Sequence, residues 1–229
     1  MSPRFLEEIS AALAGHGLIP RGGFVFDAAE DAPPGPSGSP AMSVLLVGQA
    51  GAAPWGHFSL WRKSQPSDLE NPLDAWSREV IGKVAKQFGA RAVSPSDRPW
   101  LPFQQWAMRA EGLKPSPLGI LMHPEYGLWH AYRGALLFEV EIPIQAPRKS
   151  SHHCDACSGK PCLNSCPVGA YSASGFAYDE CLAHVRGAGG AVCRGTGCLD
   201  RNACPHGAQY RYPAEVQAFH MASFADPER

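Results

Sequence analysis

The sequence predicts an α/β (α+β) chain: helices packed on a mixed sheet, followed by a small cysteine-rich module. Three observations carry this. Helix-like and strand-like patterns alternate over roughly the first 145 residues, the mark of a layered domain. All eight cysteines fall between Cys154 and Cys204, with none in the first 153 residues. Pro143, Pro147 and the polar run QAPRKSSHH mark the passage from one region to the other.

The elements follow in order. Residues 3–14 place Phe5, Leu6, Ile9 and Leu13 on one helical face and stop at Gly15. Phe24–Phe26 reads as a short strand, followed by the proline- and glycine-rich loop DAAEDAPPGPSGSP. Ser43–Val47 is a continuous apolar run, the pattern of a buried central strand. Phe58–Trp61 reads as an edge strand or binding loop. Asn71-Pro72 opens a helix to about Phe88, with Leu73, Trp76, Val80, Ile81, Val84 and Phe88 on one face. Arg91–Val93 suggests a strand, Phe103–Gly112 a helix, and Leu118–Met122 and Tyr132–Ile142 two further strands. Residues 213–224 form a closing helix. The expected division is 1–146, 147–212 and 213–229.

Composition narrows the function classes. A formal net charge of −1 gives no broad cationic field for a polyanion, which argues against a nucleic-acid partner. The first residues lack the apolar core of a signal peptide, and no apolar run approaches a membrane span, so a cytoplasmic chain is expected. In that compartment clustered cysteines bind metal more often than they pair as disulfides.

The first four cysteines stand as Cys154-Asp-Ala-Cys157-Ser-Gly-Lys-Pro-Cys162-Leu-Asn-Ser-Cys166-Pro167, and the other four are Cys181, Cys193, Cys198 and Cys204-Pro205. Two quartets, each with a Cys-Pro ending, match the thiolate demand of two [4Fe–4S] clusters. Zinc ribbons favour two separated CxxC pairs, and only one is present; four disulfides would need an oxidising compartment. The pattern resembles bacterial two-cluster ferredoxins, stretched by SGKP and by eleven residues between Cys181 and Cys193. The resemblance implies interlocked ligation: Cys154, Cys157, Cys162 and Cys204 for one cluster, Cys166, Cys181, Cys193 and Cys198 for the other. His152, His153 and His206 flank these cysteines, as sulfur-bonding groups or as loop residues.

A second informative stretch is SPLGILMHPEYGLWHAYRG, Ser116 to Gly134. A strand reaches His123-Pro124, turns at Tyr126-Gly127 and leaves through Trp129 and Tyr132. From the residues alone it is either a packed hairpin or an aromatic surface able to cover a flat cofactor. With the preceding WAMRAEGLKPSPLG and the helix NPLDAWSREVIGKVAKQF, it resembles epoxyqueuosine reductases and the CblC-type cobalamin-processing proteins. That resemblance implies a nitroreductase-like domain, a ferredoxin-like domain with two [4Fe–4S] clusters, and clusters that supply electrons to cobalamin. It places His123, Tyr126, Gly127, Trp129, Tyr132 and Arg133 near the corrin. It makes Asp97, in Ser94-Pro-Ser-Asp97-Arg98-Pro99, the counterpart of a catalytic proton donor, although an aspartate before proline also forms turns. The helical-repeat extension by which the reductases help hold tRNA has no counterpart here. The expected function is a corrinoid-dependent reductase or corrinoid-processing protein, with a small-molecule or corrinoid substrate and an external donor such as ferredoxin, flavodoxin or a reductase. A ferredoxin-like carrier and a flavin-using reductase are the alternatives.

Overall fold

Alternating helix and strand patterns become a four-stranded sheet dressed with helices in the computed structural model, which describes residues 4–146, 151–172 and 175–226. Residues 147–150, within the expected passage, lie outside that description, as does residue 3 at the start of the first predicted helix. Helix α1 (Arg4–Ala14) buries Ile9 and Leu13, four residues apart on one face. Strand β1 (Ile19–Val25) pairs antiparallel with β2 (Ser43–Ala50), with a shift in register between Pro20 and Gly23. Glycine is required there, since a Cβ on Gly23 would lie 2.3 Å from the Val44 carbonyl oxygen. Strand β2 is buried through its first seven residues, as its unbroken apolar run predicts.

Trp55–Arg62 is a helix, α2, not the expected edge strand or loop. Trp55, Phe58 and Trp61 recur every three residues, a helical spacing that their high strand propensity conceals. Phe58 anchors α2 edge-on to Trp76, their ring centres 6.1 Å apart. Trp76 belongs to α3 (Pro72–Gln87), which starts at proline, where the missing N–H costs nothing. Strand β3 (Arg91–Val93) and helix α4 (Phe103–Glu111) follow, α4 ending on Gly112 at φ +68°. The short strands β4 (Lys114–Pro115) and β5 (Leu121–Met122) pair with each other, and β6 (His130–Phe138) then takes the central place between β2 and β3.

Sheet order is β1-β2-β6-β3. Besides β1 with β2, β3 and β6 are antiparallel, and the Met42 N–H donates to the Phe138 carbonyl at the β2–β6 junction. The α+β class is as expected, with antiparallel pairing where helix–strand alternation suggested a mixed sheet. No helix among the described residues is long and apolar enough to cross a membrane.

The chain forms two compact units, Met1–Gly112 with Ala131–Lys149, and Leu113–His130 with Ser150–Arg229. Residues 113–130 thus fall in the unit that holds the cysteines. The second unit contains α5 (His153–Ala156), the hairpin β7 (Tyr171–Ser172) and β8 (Gly175–Phe176), and α6 (Tyr178–Arg186). Then come α7 (Ala191–Thr196), α8 (Leu199–Asn202) and α9 (Ala214–Ala225). The predicted closing helix is α9, and it packs on α7 and α6 rather than standing apart.

Candidate metal centre

The eight thiols are free; four of them line one pocket, and Cys181 lies within electrostatic reach of the other three, Cys166, Cys193 and Cys198. Cys154 lies in α5, Cys157 caps it, Cys162 sits in the single turn Pro161–Leu163, and Cys204 follows α8. These four line one pocket together with Lys160, Pro161, Pro205 and His206 and with Ser116, Pro117, Met122 and Leu128. Met122, Leu128, Cys162 and Cys204 also share one apolar cluster, against which Cys154 packs. The second set comprises Cys166, Cys181 in α6, Cys193 in α7 and Cys198 at the start of α8.

Electrostatics respect the same division. Burial raises the Cys154 thiol, and repulsion from Cys204, Cys162 and Cys157 raises it further. Burial pushes Cys181 up to about 11, helped by Cys198, Cys166 and Cys193. Cys162, Cys193, Cys198 and Cys204 are raised too, by burial first. Crowded, desolvated thiols give up their protons readily only to a metal, whose charge replaces them.

Backbone amides already point at the sulfurs. The Ala170 N–H donates to Cys166 Sγ at 3.4 Å. Asp200 and Arg201 amides serve Cys198, and the His206 amide serves Cys204. His184 Nε2 stands 3.7 Å from Cys193 Sγ. Among the described residues, no three His, Cys, Asp or Glu side chains close on a single ion. A zinc ion holds sulfur at about 2.3 Å. Thiols gathered with amides aimed at the sulfur positions have the donor chemistry that an iron–sulfur cluster takes.

The His-Pro segment forms a tight turn inside the same unit. His123 bridges to Gly127 across it, and His123 Nδ1 accepts the Glu125 and Tyr126 N–H groups, each at 3.1 Å. Its ring stacks on Tyr126 with centres 4.1 Å apart. His123 is thus a turn-building residue. His153 Nε2 lies 2.8 Å from the Pro124 carbonyl, and His153 stacks on His206 at 4.2 Å. These histidines join the turn to the Cys204 loop; His206 reaches Cys204 through its backbone.

Trp129 is fully enclosed, edge-on to Tyr212 with the Arg201 guanidinium 4.5 Å over its ring. Its indole is packed as core in this structure. Tyr132 and Arg133 lie in the first unit. The Tyr132 hydroxyl donates to Glu111, and Arg21, itself buried, binds Glu111 with Nε and Nη2, each at 2.9 Å. Burial raises the Tyr132 phenol far above its ordinary value. Arg133 Nε donates to Gln49 Oε1 at 2.7 Å. Asp97 Oδ2 accepts the Ser94 N–H at 2.7 Å and Oδ1 pairs with Arg78 at 3.2 Å. Those contacts make it a turn former tied to α3.

Two residues beside the thiols escaped the sequence reading. Lys160 Nζ donates to the Cys154 carbonyl at 3.0 Å. Asp200, 1% exposed, accepts the Ser165 N–H at 2.9 Å, and its Oδ2 has no partner. Burial raises its carboxyl while the Ser165 and Cys166 amides oppose that shift. The available signal is positional: each lies two residues from a cysteine.

No family model matches the chain, and no curated protein matches it. Among solved structures, the fold is similar to that of the B12-trafficking protein CblC from C. elegans. The two are 12% identical at a TM-score of 0.53, over 100% of this chain and 99% of that one. Epoxyqueuosine reductase from Streptococcus thermophilus aligns at 16% identity and a TM-score of 0.49, over 76% of this chain and 51% of that one. An epoxyqueuosine reductase bound to a tRNA-Tyr stem loop aligns at 15% identity and 0.48, over 78% and 52%. The chain spans about half the length of these reductases. The resemblance read from the His-Pro segment is matched at the level of fold, which is the CblC fold.

Proposed function

We propose that the chain is an iron–sulfur redox protein in which each set of four thiols holds a [4Fe–4S] cluster, and that these clusters pass electrons to a bound corrinoid. One observation carries the reading: two separate quartets of free, buried or half-buried thiols, with amides aimed at the sulfurs. Cys154, Cys157, Cys162 and Cys204 would hold one cluster, and Cys166, Cys181, Cys193 and Cys198 the other. When bound, such clusters supply one-electron chemistry at low potential. The chain holds the sulfurs, donates hydrogen bonds to them, and keeps water off one set with Met122, Leu128 and Pro161.

The corrinoid part rests on the fold shared with a B12-trafficking protein and on the resemblance of the His-Pro segment. The electron source is an external one-electron donor, and the substrate a small molecule or the corrinoid itself. Near-neutral charge speaks for that substrate class over tRNA.

The test is a titration of the anaerobically purified protein with cobalamin, followed by absorbance. A shift to the base-off spectrum is expected. An unchanged spectrum together with co-purified flavin would replace the corrinoid by flavin; an unchanged spectrum without flavin would leave an electron carrier.

A further inference from the structure

We infer that Lys160 and Asp200 hold the two thiol sets at different reduction potentials, so that electrons enter at the Cys166 set and leave from the Cys154 set. The inference rests on the proposed two-cluster reading and assigns each set its place in the electron path.

The two residues occupy corresponding positions with opposite charge. Lys160 precedes Cys162 by two residues, and its ammonium donates to the Cys154 carbonyl at 3.0 Å. It thereby spans two cysteines of one set and lines their cavity. The backbone at Lys160 turns left-handed, φ +34°, directly before Pro161, which bends the chain back over Cys154. Asp200 follows Cys198 by two residues, and its Oδ1 accepts the N–H of Ser165, the neighbour of Cys166. It thereby spans two cysteines of the other set. At 1% exposure and with Oδ2 unpartnered, little screens its field from the sulfurs, and it bears on Cys181, Cys193 and Cys198 of this set against Cys162 of the other.

A cation beside a cluster stabilises the added electron, and a carboxylate opposes it. The Lys160 set is therefore the better acceptor. Other cations lie near the thiols: Arg201 sends its guanidinium to the carbonyl of Leu128, which lines the Cys154 set, and so adds to the direction set by Lys160. Arg211, beside Cys204, adds to the same direction. Arg194, half-buried near Cys193, donates to the Val185 and Gly187 carbonyls and opposes Asp200 at that one sulfur. With both sets loaded, one electron would pass from the cluster held by the Cys166 set to the one held by the Cys154 set, with no bond formed or broken and no proton moved. A low-potential one-electron carrier restores the first cluster.

The experiment is an anaerobic dithionite titration of the full-length, cluster-loaded protein, read by electron paramagnetic resonance. Two reduction steps are expected, and Cys181→Ser should remove the lower one. Asp200→Asn keeps the acceptor for Ser165 and should raise the lower step more than the upper. Lys160→Gln keeps a donor for Cys154 and should lower the upper step. Loss of the upper step in Cys181→Ser, or variants that keep both clusters and both potentials, would overturn the inference while leaving the two-cluster reading intact. If Asp200→Asn cannot hold iron, the shift in Lys160→Gln decides. A wild-type protein without iron would instead sink the functional reading itself.

Discussion

Gly127 and Gly207 lie backbone to backbone. A Cβ on Gly127 would come 2.0 Å from the His206 carbonyl oxygen, and one on Gly207 would come 2.3 Å from the Tyr126 carbonyl. Both also hold positive φ, +58° and +70°. The turn after His123-Pro124 is thereby pressed against the loop that carries Cys204, and the position of one proposed ligand depends on a segment that precedes it by 77 residues. Gly127→Ala should destabilise the second unit by at least about 1–3 kcal/mol from the backbone conformation alone. Iron content and denaturant unfolding check this: iron should fall in the variant, and Gly89→Ala, also at positive φ but with open space around it, should unfold earlier without losing iron.

Cys166→Ser removes one ligand from one set. About half of the iron should be lost, since four of eight thiolates serve each cluster. Cys162→Ser should remove the other half, and the double variant nearly all. Loss of all iron from either single change would show that the sets do not bind independently.

Trp129 separates a core role from a ligand role. Trp129→Ala should cost about 3–5 kcal/mol in stability, the range for deleting a large buried aromatic. Trp129→Phe should be much milder, because the indole Nε1 has no partner to lose. Cobalamin affinity of the folded Phe variant should match wild type.

The Arg21–Glu111–Tyr132 group makes the first unit sensitive to base. The phenol is held protonated when folded, chiefly by burial, whereas the unfolded chain releases that proton near pH 10. Above about pH 10 the unfolded state therefore binds fewer protons, and stability falls as pH rises. Tyr132→Phe should flatten that slope. Glu111→Ala removes the carboxylate that balances buried Arg21 and should cost about 3–5 kcal/mol.

Much of the fold was legible where one periodicity dominates. Helix α3 shows it best: Leu73, Trp76, Val80, Ile81 and Val84 announce its buried face, and Pro72 its start. The helix α2 was not legible, because tryptophan and phenylalanine at helical spacing also satisfy strand propensity over so short a run. For the candidate site, the cysteine ladder shows which thiols are available, and their interlocked grouping is what the ferredoxin-like spacing implies. The His-Pro segment drew attention through its aromatics, yet its place beside Cys204 depends on a glycine contact between distant parts of the chain. Local sequence carries no mark of such a contact. Lys160 and Asp200 are single charges, one before the turn at Pro161 and one in the short helix α8, and only their three-dimensional surroundings give them weight.

The central claim is that the eight thiols hold iron in two separate clusters. Purification without oxygen, followed by iron and acid-labile sulfide analysis, tests it most directly. About eight irons and eight sulfides per chain are expected, with broad visible absorption that bleaches on reduction. A colourless protein, a protein with zinc in place of iron, or one whose cysteines are paired as disulfides would contradict it.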